Sequence, residues 1–211
     1  MSEPADPGAS DPEDDRRGGF PRLEPVPEPP GFGRFVEAMR RAQDLAVSTE
    51  MADWNEAADR VEDLVAFLRP HLAPGGIGPA SRVSSLPAAG SLLMPPWEIR
   101  RFDSDGVEVS VQFSRYHVGG NNAVHGGQVA MMFDVMFGMT IHAIGRPISR
   151  TAFLHVDYRS ITPIDVPITA RSWAARLEGR KTFVNADMTG PDGTLLAEAN
   201  GLMVQLLPGQ P

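Results

Sequence analysis

The spacing of apolar residues changes along the chain, and each spacing predicts a different kind of element. Between Gly33 and Leu72 apolar residues recur every three or four positions, which predicts two amphipathic helices with a break near residues 48–52. From Val107 to Phe113 apolar and polar residues alternate, which is typical of a half-buried strand, and residues 97–102 form its expected partner. Residues 126–144 are apolar on nearly every side of a helix.

Strand-like runs follow this apolar helix, and turn residues separate them. The sequences EGRK and GPDGT occupy the two clearest turns. A helix that is apolar on nearly every side has to be surrounded, and an antiparallel sheet curved around it is the simplest arrangement. We therefore predict an α+β fold with a curved antiparallel sheet wrapped around one central helix. The predicted strands after the helix are residues 151–160, 168–177, 182–188 and 195–206.

Composition divides the chain into four segments. Residues 1–30 are acidic and rich in proline and cannot bury enough apolar surface to offset the entropy of ordering, so we predict a disordered tail. A helical extension is expected at residues 31–72 and a linker rich in glycine, proline and serine at 73–91. The main domain is expected at residues 92–208.

The bulk composition excludes several classes of function. The 211 residues contain no Cys, which excludes disulfides, thiolate metal sites and a Cys nucleophile. A net charge of −8 argues against binding to nucleic acid, since phosphate contacts need a basic surface. The first residues do not resemble a secretion signal, and the longest apolar stretch is too short to span a bilayer. We expect a soluble cytoplasmic protein.

One carboxylate interrupts the apolar helix. From Val129 to Met139 every residue is apolar or Gly except Asp134. Burying its charged form would cost several kcal/mol without partners. An acidic side chain in such surroundings keeps or raises its basicity, so it could deprotonate water or attack a carbonyl carbon itself. The alternative is a structural role, as a hydrogen-bonding hub or a contact between protomers.

The helix is preceded by the sequence His125-Gly126-Gly127. Glycines at a helix start let a ligand approach backbone N–H groups that have no partner in the first turn and lie at the positive end of the helix dipole. Gly126 is the preferred donor to an oxyanion, and Gly127 would contact the substrate. The alternative is a tight turn with no further role.

The stretch NAVHGGQVAMMFD resembles the signature of the hot-dog-fold acyl-CoA thioesterases of the phenylacetate-pathway type, in the 4-hydroxybenzoyl-CoA thioesterase superfamily. In that family an acidic residue lies nine positions after the His, as Asp134 does here after His125. The resemblance implies a hot-dog fold and hydrolysis of acyl-CoA thioesters without a cofactor, the CoA moiety being part of the substrate. It also implies a homodimer or a dimer of dimers, with Gly126 of one protomer and Asp134 of the other in one site.

Further site residues are implied by the same resemblance. The family often has Asn six positions before the His, where this chain has Gly119, so the nearby Asn121 and Asn122 are candidates for orienting the thioester or water. Thr151 aligns with a Ser or Thr that holds the attacking water in relatives. His125 is expected mainly to fix the turn through a local hydrogen bond. The candidate ligands of the CoA phosphates are Arg150, Arg159, Arg180 and Lys181.

Three other functions are weighed against hydrolysis. A metal site built from His117, His125, His142 and Asp134 is not expected, because their spacing fits no ligand pattern. An enoyl-thioester hydratase usually has a His a few residues after its Asp, whereas here the next His lies eight residues on. A non-catalytic acyl-CoA-binding or scaffolding protein is the third alternative.

Overall fold

The computed structural model describes residues 24–207, and these form two compact units. The first contains residues 24–96 together with 114–116, and the second contains residues 97–113 and 117–207. Residues 92–96, expected in the main domain, group here with the N-terminal unit, and the domain bounds stay a prediction.

The N-terminal unit contains two helices, α1 (Phe32–Ser48) and α2 (Asn55–Leu68). They are separated where the hydrophobic pattern predicts a break. Helix α1 buries only Val36, and α2 buries no residue. Within the described residues, the apolar side chains of α2 are therefore left largely uncovered.

Residues 24–30, placed in the disordered tail by the sequence, make defined hydrogen bonds in this unit. The Val26 N–H donates to the carbonyl of Arg82, and the Glu28 carboxylate accepts from the Gly33 N–H. The chain thus satisfies some of its backbone and side-chain groups locally despite its proline content, and the disordered tail stays a prediction. The remaining tail residues, 1–23, lie outside the described residues.

The second unit contains a six-stranded antiparallel sheet and one helix, α3 (Gly126–Ala143). The strand order is β1-β2-β4-β5-β6-β3, so β3 is an edge strand. The α+β prediction and the predicted order of elements along the chain are confirmed. The strands are β1 (Trp97–Asp103), β2 (Gly106–Gln112), β3 (Ser149–Tyr158), β4 (Pro167–Glu178), β5 (Lys181–Thr189) and β6 (Leu195–Gln205).

The core lies between α3 and one face of the sheet, and α3 packs against every strand. Phe133 and Phe137 are fully buried. A β-carbon on Gly201 of β6 would lie 2.5 Å from the Phe137 ring, so Gly201 is the residue that lets this ring reach the sheet. The buried Thr140 hydroxyl lies 2.5 Å from the hydroxyl of Ser172 on β4, which satisfies both polar groups inside the core.

The apolar sequence of α3 predicts a helix that is surrounded on all sides. In the structure it is not. Asp134, Gly138 and His142 form an exposed stripe, with successive members four positions apart. The sequence shows how apolar the helix is, but it does not show that the sheet covers only part of the circumference. Asp134 is therefore exposed rather than embedded in the core.

Candidate active site

The start of α3 is fixed by His125, the N-cap residue. Its Nδ1 atom accepts a hydrogen bond of 3.0 Å from the Gly127 N–H. The Gly127 N–H is thereby used within the turn, and His125 makes the local hydrogen bond that the sequence analysis expects.

Gly126, the first residue of α3, lies against Tyr158 at the end of β3. The Tyr158 hydroxyl donates to the Gly126 carbonyl at 2.8 Å, and a β-carbon on Gly126 would lie 3.1 Å from that hydroxyl. Within residues 24–207 the Gly126 N–H has no acceptor, as is normal for the first residue of a helix. This N–H is the one that remains available to a ligand.

The loop before α3 is a tight reversal of the chain. An isolated bridge joins Val118 and Val124, and the loop tip contains Asn121 and Asn122, both exposed and with φ values of 57° and 55°. At the family's Asn position, a β-carbon on Gly119 would lie 3.2 Å from the His125 Cα. The chain therefore packs backbone against His125 where relatives have a side chain, and its two Asn residues lie at the tip instead.

Asp134 is held from β3 by Thr151. The Thr151 hydroxyl donates to Asp134 Oδ1 at 2.7 Å and also lies 3.3 Å from the sulfur of Met203. The carboxylate is exposed and keeps its second oxygen for another partner. The structure thus brings together two residues that lie seventeen positions apart and that the sequence analysis proposes for the same site.

A β-bulge in β3 lets one strand contact both parts of α3. Thr151 pairs with Met203, and the next paired residue is Phe153 with Leu202, so Ala152 is the extra residue. Residues seven positions apart in a regular strand point to opposite faces. Because of the bulge, Thr151 and Tyr158 both point towards α3.

The candidate phosphate ligands lie at two different places. Arg159 makes ion pairs with Asp157 and Glu198 on the other face of the sheet, and its hydrogen bond to Glu198 raises the pKa of the guanidinium. These contacts weaken Arg159 as a phosphate ligand. By contrast, Arg150 on β3 and Lys181 on β5 both pair with Val204 of β6, and Arg180 donates to the carbonyl of Gln205. These three basic residues lie together at one end of the sheet.

His117 and His142, the other two histidines weighed as metal ligands, lie apart from Asp134. His117 is buried and packs edge-on against Phe113, and His142 contacts the Phe102 ring at 5.7 Å. His142 follows Asp134 by eight residues, which corresponds to about 12 Å along a helix. Among residues 24–207, no three His, Asp or Glu side chains converge as metal ligands would, and no helix has the length and apolarity to cross a bilayer.

Tyr158 and Met203 are site residues that sequence reasoning did not assign. Nothing in the strand pattern indicates that the Tyr158 hydroxyl reaches Gly126. From the sequence, Met203 is expected to be an ordinary buried strand residue. Its sulfur contacts Thr151 only because β3 and β6 are paired.

Part of this chain is similar to known thioesterases. The family model of the thioesterase superfamily matches residues 121–197, which contain His125, the two glycines, Asp134 and Thr151. Acyl-coenzyme A thioesterase THEM4 of Rattus norvegicus is 35% identical over 89 residues, which is 42% of this chain and 38% of that protein. The Bos taurus protein is 33% identical over 86 residues, 40% of this chain and 35% of that protein. The chain thus spans well under half the length of these relatives.

Solved structures show the same fold. A thioesterase-superfamily protein superposes with a TM-score of 0.71 at 23% identity, over 86% of this chain and 94% of that one. A hypothetical thioesterase from Streptococcus pneumoniae with coenzyme A gives a TM-score of 0.51 at 17% identity, over 54% and 91%. The PaaI protein of E. coli gives 0.50 at 14% identity, over 52% and 79%. The resemblance found in the sequence is thus confirmed: residues 121–197 match the thioesterase superfamily, and the chain has the fold of these solved thioesterase structures.

Proposed function

We propose that this protein hydrolyses acyl-CoA thioesters to the free acid and CoA. Asp134 acts as general base or nucleophile, and the Gly126 N–H stabilises the charge that develops on the thioester oxygen. The observation that carries this proposal is the exposed Asp134 carboxylate, which is oriented by the Thr151 hydroxyl at 2.7 Å on the helix that begins with Gly126.

Two findings from other proteins support an acyl-CoA substrate. The matched mammalian relatives are named acyl-coenzyme A thioesterases, and structures of the same fold contain CoA or acetyl-CoA. Within this chain, Arg150, Arg180 and Lys181 are the basic residues placed to meet CoA phosphates. Arg159, already paired with two carboxylates, is the weakest of the four candidates.

A complete site needs two copies of the chain. Gly126 and Asp134 are eight residues apart on one rigid helix, which separates them by about 12 Å along its axis. A single carbonyl group cannot contact both within one protomer. We therefore assign to each site the Asp134 of one protomer and the Gly126 of its partner, in a dimer or a dimer of dimers.

The free edge of β3 suggests how the two copies pair. An exposed edge strand offers unpaired backbone groups to a second strand, and Phe153 is 47% and Tyr158 55% exposed on this one. An antiparallel pairing centred between Leu154 and His155 would place Thr151 opposite Tyr158 of the partner subunit. Because Thr151 contacts Asp134 and Tyr158 contacts Gly126, this pairing would bring both parts of the site together.

The first test is the replacement of Asp134 by Ala. We expect the rate of CoA release from a panel of acyl-CoAs, followed with a thiol-reactive dye, to fall by about 100-fold or more. Replacement of exposed Asp63 on α2 by Ala is the matched control, because that residue is also an exposed carboxylate in a helix and belongs to the unit that does not contain the site. An Asp134→Ala variant that retains its rate would refute the proposed mechanism.

A second test mixes two inactive variants to ask whether the site is shared. Gly126→Pro removes the N–H, while the first helical position and the extended His125 before it both tolerate Pro. Mixed with Asp134→Ala under subunit exchange, half of the dimers contain both chains, and each of these keeps one intact site. We expect about a quarter of wild-type activity. A shared site would be contradicted if mixed dimers form and no activity returns. It would also be contradicted if the wild-type protein is fully active while sedimentation shows a monomer.

A further inference from the structure

A cavity of about 220 Å³ lies between the second half of α3 and the start of β3. Ile141 is buried and Ile148 half-buried, and both give the cavity apolar walls. The residues that line it are Gly138, Ile141, His142, Arg146, Ile148 and Ser149.

The cavity continues from the proposed catalytic pair. Gly138 is one helical turn beyond Asp134 on the same exposed stripe, and Ser149 precedes Thr151 by two residues on the same strand. A group bound at Asp134 would therefore lie next to the cavity entrance, with Gly138 of the helix on one side and Ser149 of the strand on the other. The cavity is small and has apolar walls, which suits the acyl part of a thioester better than the long polar CoA part.

Gly138 is a glycine that nothing else in the described protein requires. Its φ is helical, and a β-carbon built on it meets no atom within 4 Å. Gly inside a helix costs about 0.5–1 kcal/mol relative to Ala. The absent side chain leaves open the space in front of Ile141, which is consistent with room kept for a ligand.

Arg146 introduces a cation at this apolar cavity. It is half-buried, and among residues 24–207 its guanidinium donates one hydrogen bond, to the carbonyl of Gly179. Among residues 24–207, no carboxylate lies within ion-pair distance of it. A guanidinium has five N–H donors in a planar fork that matches a carboxylate, so most of its donors remain available.

We propose that this cavity binds the acyl group of the substrate and that Arg146 pairs with a carboxylate at the far end of that group. This inference rests on the proposed thioesterase function and narrows its substrates to acyl thioesters with a terminal carboxylate. A 150 Å³ cavity holds benzene, so a cavity of this volume holds about nine non-hydrogen atoms. A six-carbon chain that ends in a carboxylate has this size.

The test compares adipoyl-CoA with hexanoyl-CoA, which have the same chain length and differ in the terminal carboxylate. A charge-assisted hydrogen bond discriminates by about 10- to 100-fold, so we expect kcat/KM to favour adipoyl-CoA by that factor. Arg146→Met should abolish the preference, because it should lower kcat/KM for adipoyl-CoA about 10- to 100-fold more than it changes kcat/KM for hexanoyl-CoA. Arg146→Lys should restore part of it, because the charge is kept and the fork is lost.

Two further variants separate the cavity from general effects. Arg100→Met removes the same charge from an exposed arginine on β1 that pairs with Glu98, and it should leave the preference intact. Gly138→Leu should fill the cavity and lower kcat/KM for both six-carbon substrates by about tenfold or more, while acetyl-CoA is spared. Ala143→Leu adds the same side chain to the same helix outside the lining and serves as its control.

Truncated substrates distinguish an acyl contact from a CoA contact. Thioesters of N-acetylcysteamine lack the phosphates, and they should show the same preference for the adipoyl group. If Arg146→Met instead raises KM equally for hexanoyl- and adipoyl-CoA, Arg146 binds the CoA part and the inference is wrong. Equal rates for the two substrates in the wild-type protein would also refute the inference. So would sedimentation that shows a smaller assembly for Gly138→Leu than for the wild-type protein.

A binding measurement keeps this inference separate from the proposed function. The probes are S-hexyl-CoA and S-(5-carboxypentyl)-CoA, thioethers that cannot be hydrolysed, and their Kd values are measured by calorimetry. If no acyl-CoA is hydrolysed but the carboxylated thioether binds about tenfold tighter and loses this advantage in Arg146→Met, the proposed hydrolysis fails and the cavity assignment stands. Equal Kd values refute the cavity assignment even in an active enzyme.

Discussion

The two faces of α3 differ in what they require of the sequence. On the buried face, Phe133, Phe137 and Thr140 are held by the sheet, and Thr140 pairs its hydroxyl with Ser172. On the exposed stripe, Asp134 has one hydroxyl partner, and a β-carbon built on Gly138 would meet no atom of another element within 4 Å. One face is therefore determined by packing, and the other carries residues that contribute little to the stability of a single chain.

This difference shows how to separate folding from function on one helix. Substitutions on the buried face should change stability first and activity only as a consequence. Substitutions on the exposed stripe should change activity while the free energy of unfolding stays nearly constant or rises. The predictions below use this contrast, in order of decreasing expected effect.

The largest effect is expected for Phe137→Ala. The ring is fully buried over Gly201, so its loss leaves a cavity and should lower the free energy of unfolding by about 3–5 kcal/mol. Urea unfolding followed by circular dichroism measures this change. Asp134→Ala, on the other face, should stay within about 0.5 kcal/mol of the wild type. Similar losses for both variants would remove the contrast between the faces.

A smaller effect is expected for Thr151→Val, which removes the hydroxyl that orients Asp134 and keeps the shape of the side chain. We expect kcat to fall by about tenfold, since one hydrogen bond of about 1–1.5 kcal/mol is lost. Thr151→Ser retains the hydroxyl and should recover most of the activity in the same thiol-release assay. Unchanged kcat in Thr151→Val would show that Asp134 needs no orientation from β3.

The smallest effect, and one of opposite sign, is expected for Gly138→Ala. The substitution meets no neighbour and should raise the free energy of unfolding by about 0.5–1 kcal/mol. A gain in melting temperature together with a lower kcat/KM for six-carbon substrates would show that Gly138 lowers the stability of the wild-type protein and leaves space for the ligand. A loss of stability would instead show that another chain packs closely against Gly138.

Much of the fold could be predicted because each element has its own period. The switch from a period of two in β2 to an all-apolar helix, and then to four strands with clear turns, predicts the order of elements within a few residues. The Asp134 and HGG spacing identifies the helix that carries the candidate site. These signals are local, so a single sequence contains them.

The parts of the site that could not be predicted depend on how elements meet. Alternation along β3 places Thr151 and Tyr158 on opposite faces, and only the bulge at Ala152 brings both towards α3. Likewise, the apolar sequence of α3 does not reveal that Asp134 faces outwards, because the width of the sheet is set by strands elsewhere in the chain. The charge partners of Arg159 come from two strands that pair only in the folded sheet.

The bulge in β3 also limits how the gene can change. Loss of the single codon for Ala152 would restore a regular strand and turn Thr151 away from Asp134, while Tyr158 would keep its place beside Gly126. Such a deletion changes the hydropathy of the strand little, and the residues from Phe153 to Tyr158 can keep their pairing with β6. It would nevertheless remove the contact between Thr151 and Asp134 while most of the fold stays in place. Descendants of this gene can therefore vary the turns but have to conserve the number of residues in this strand.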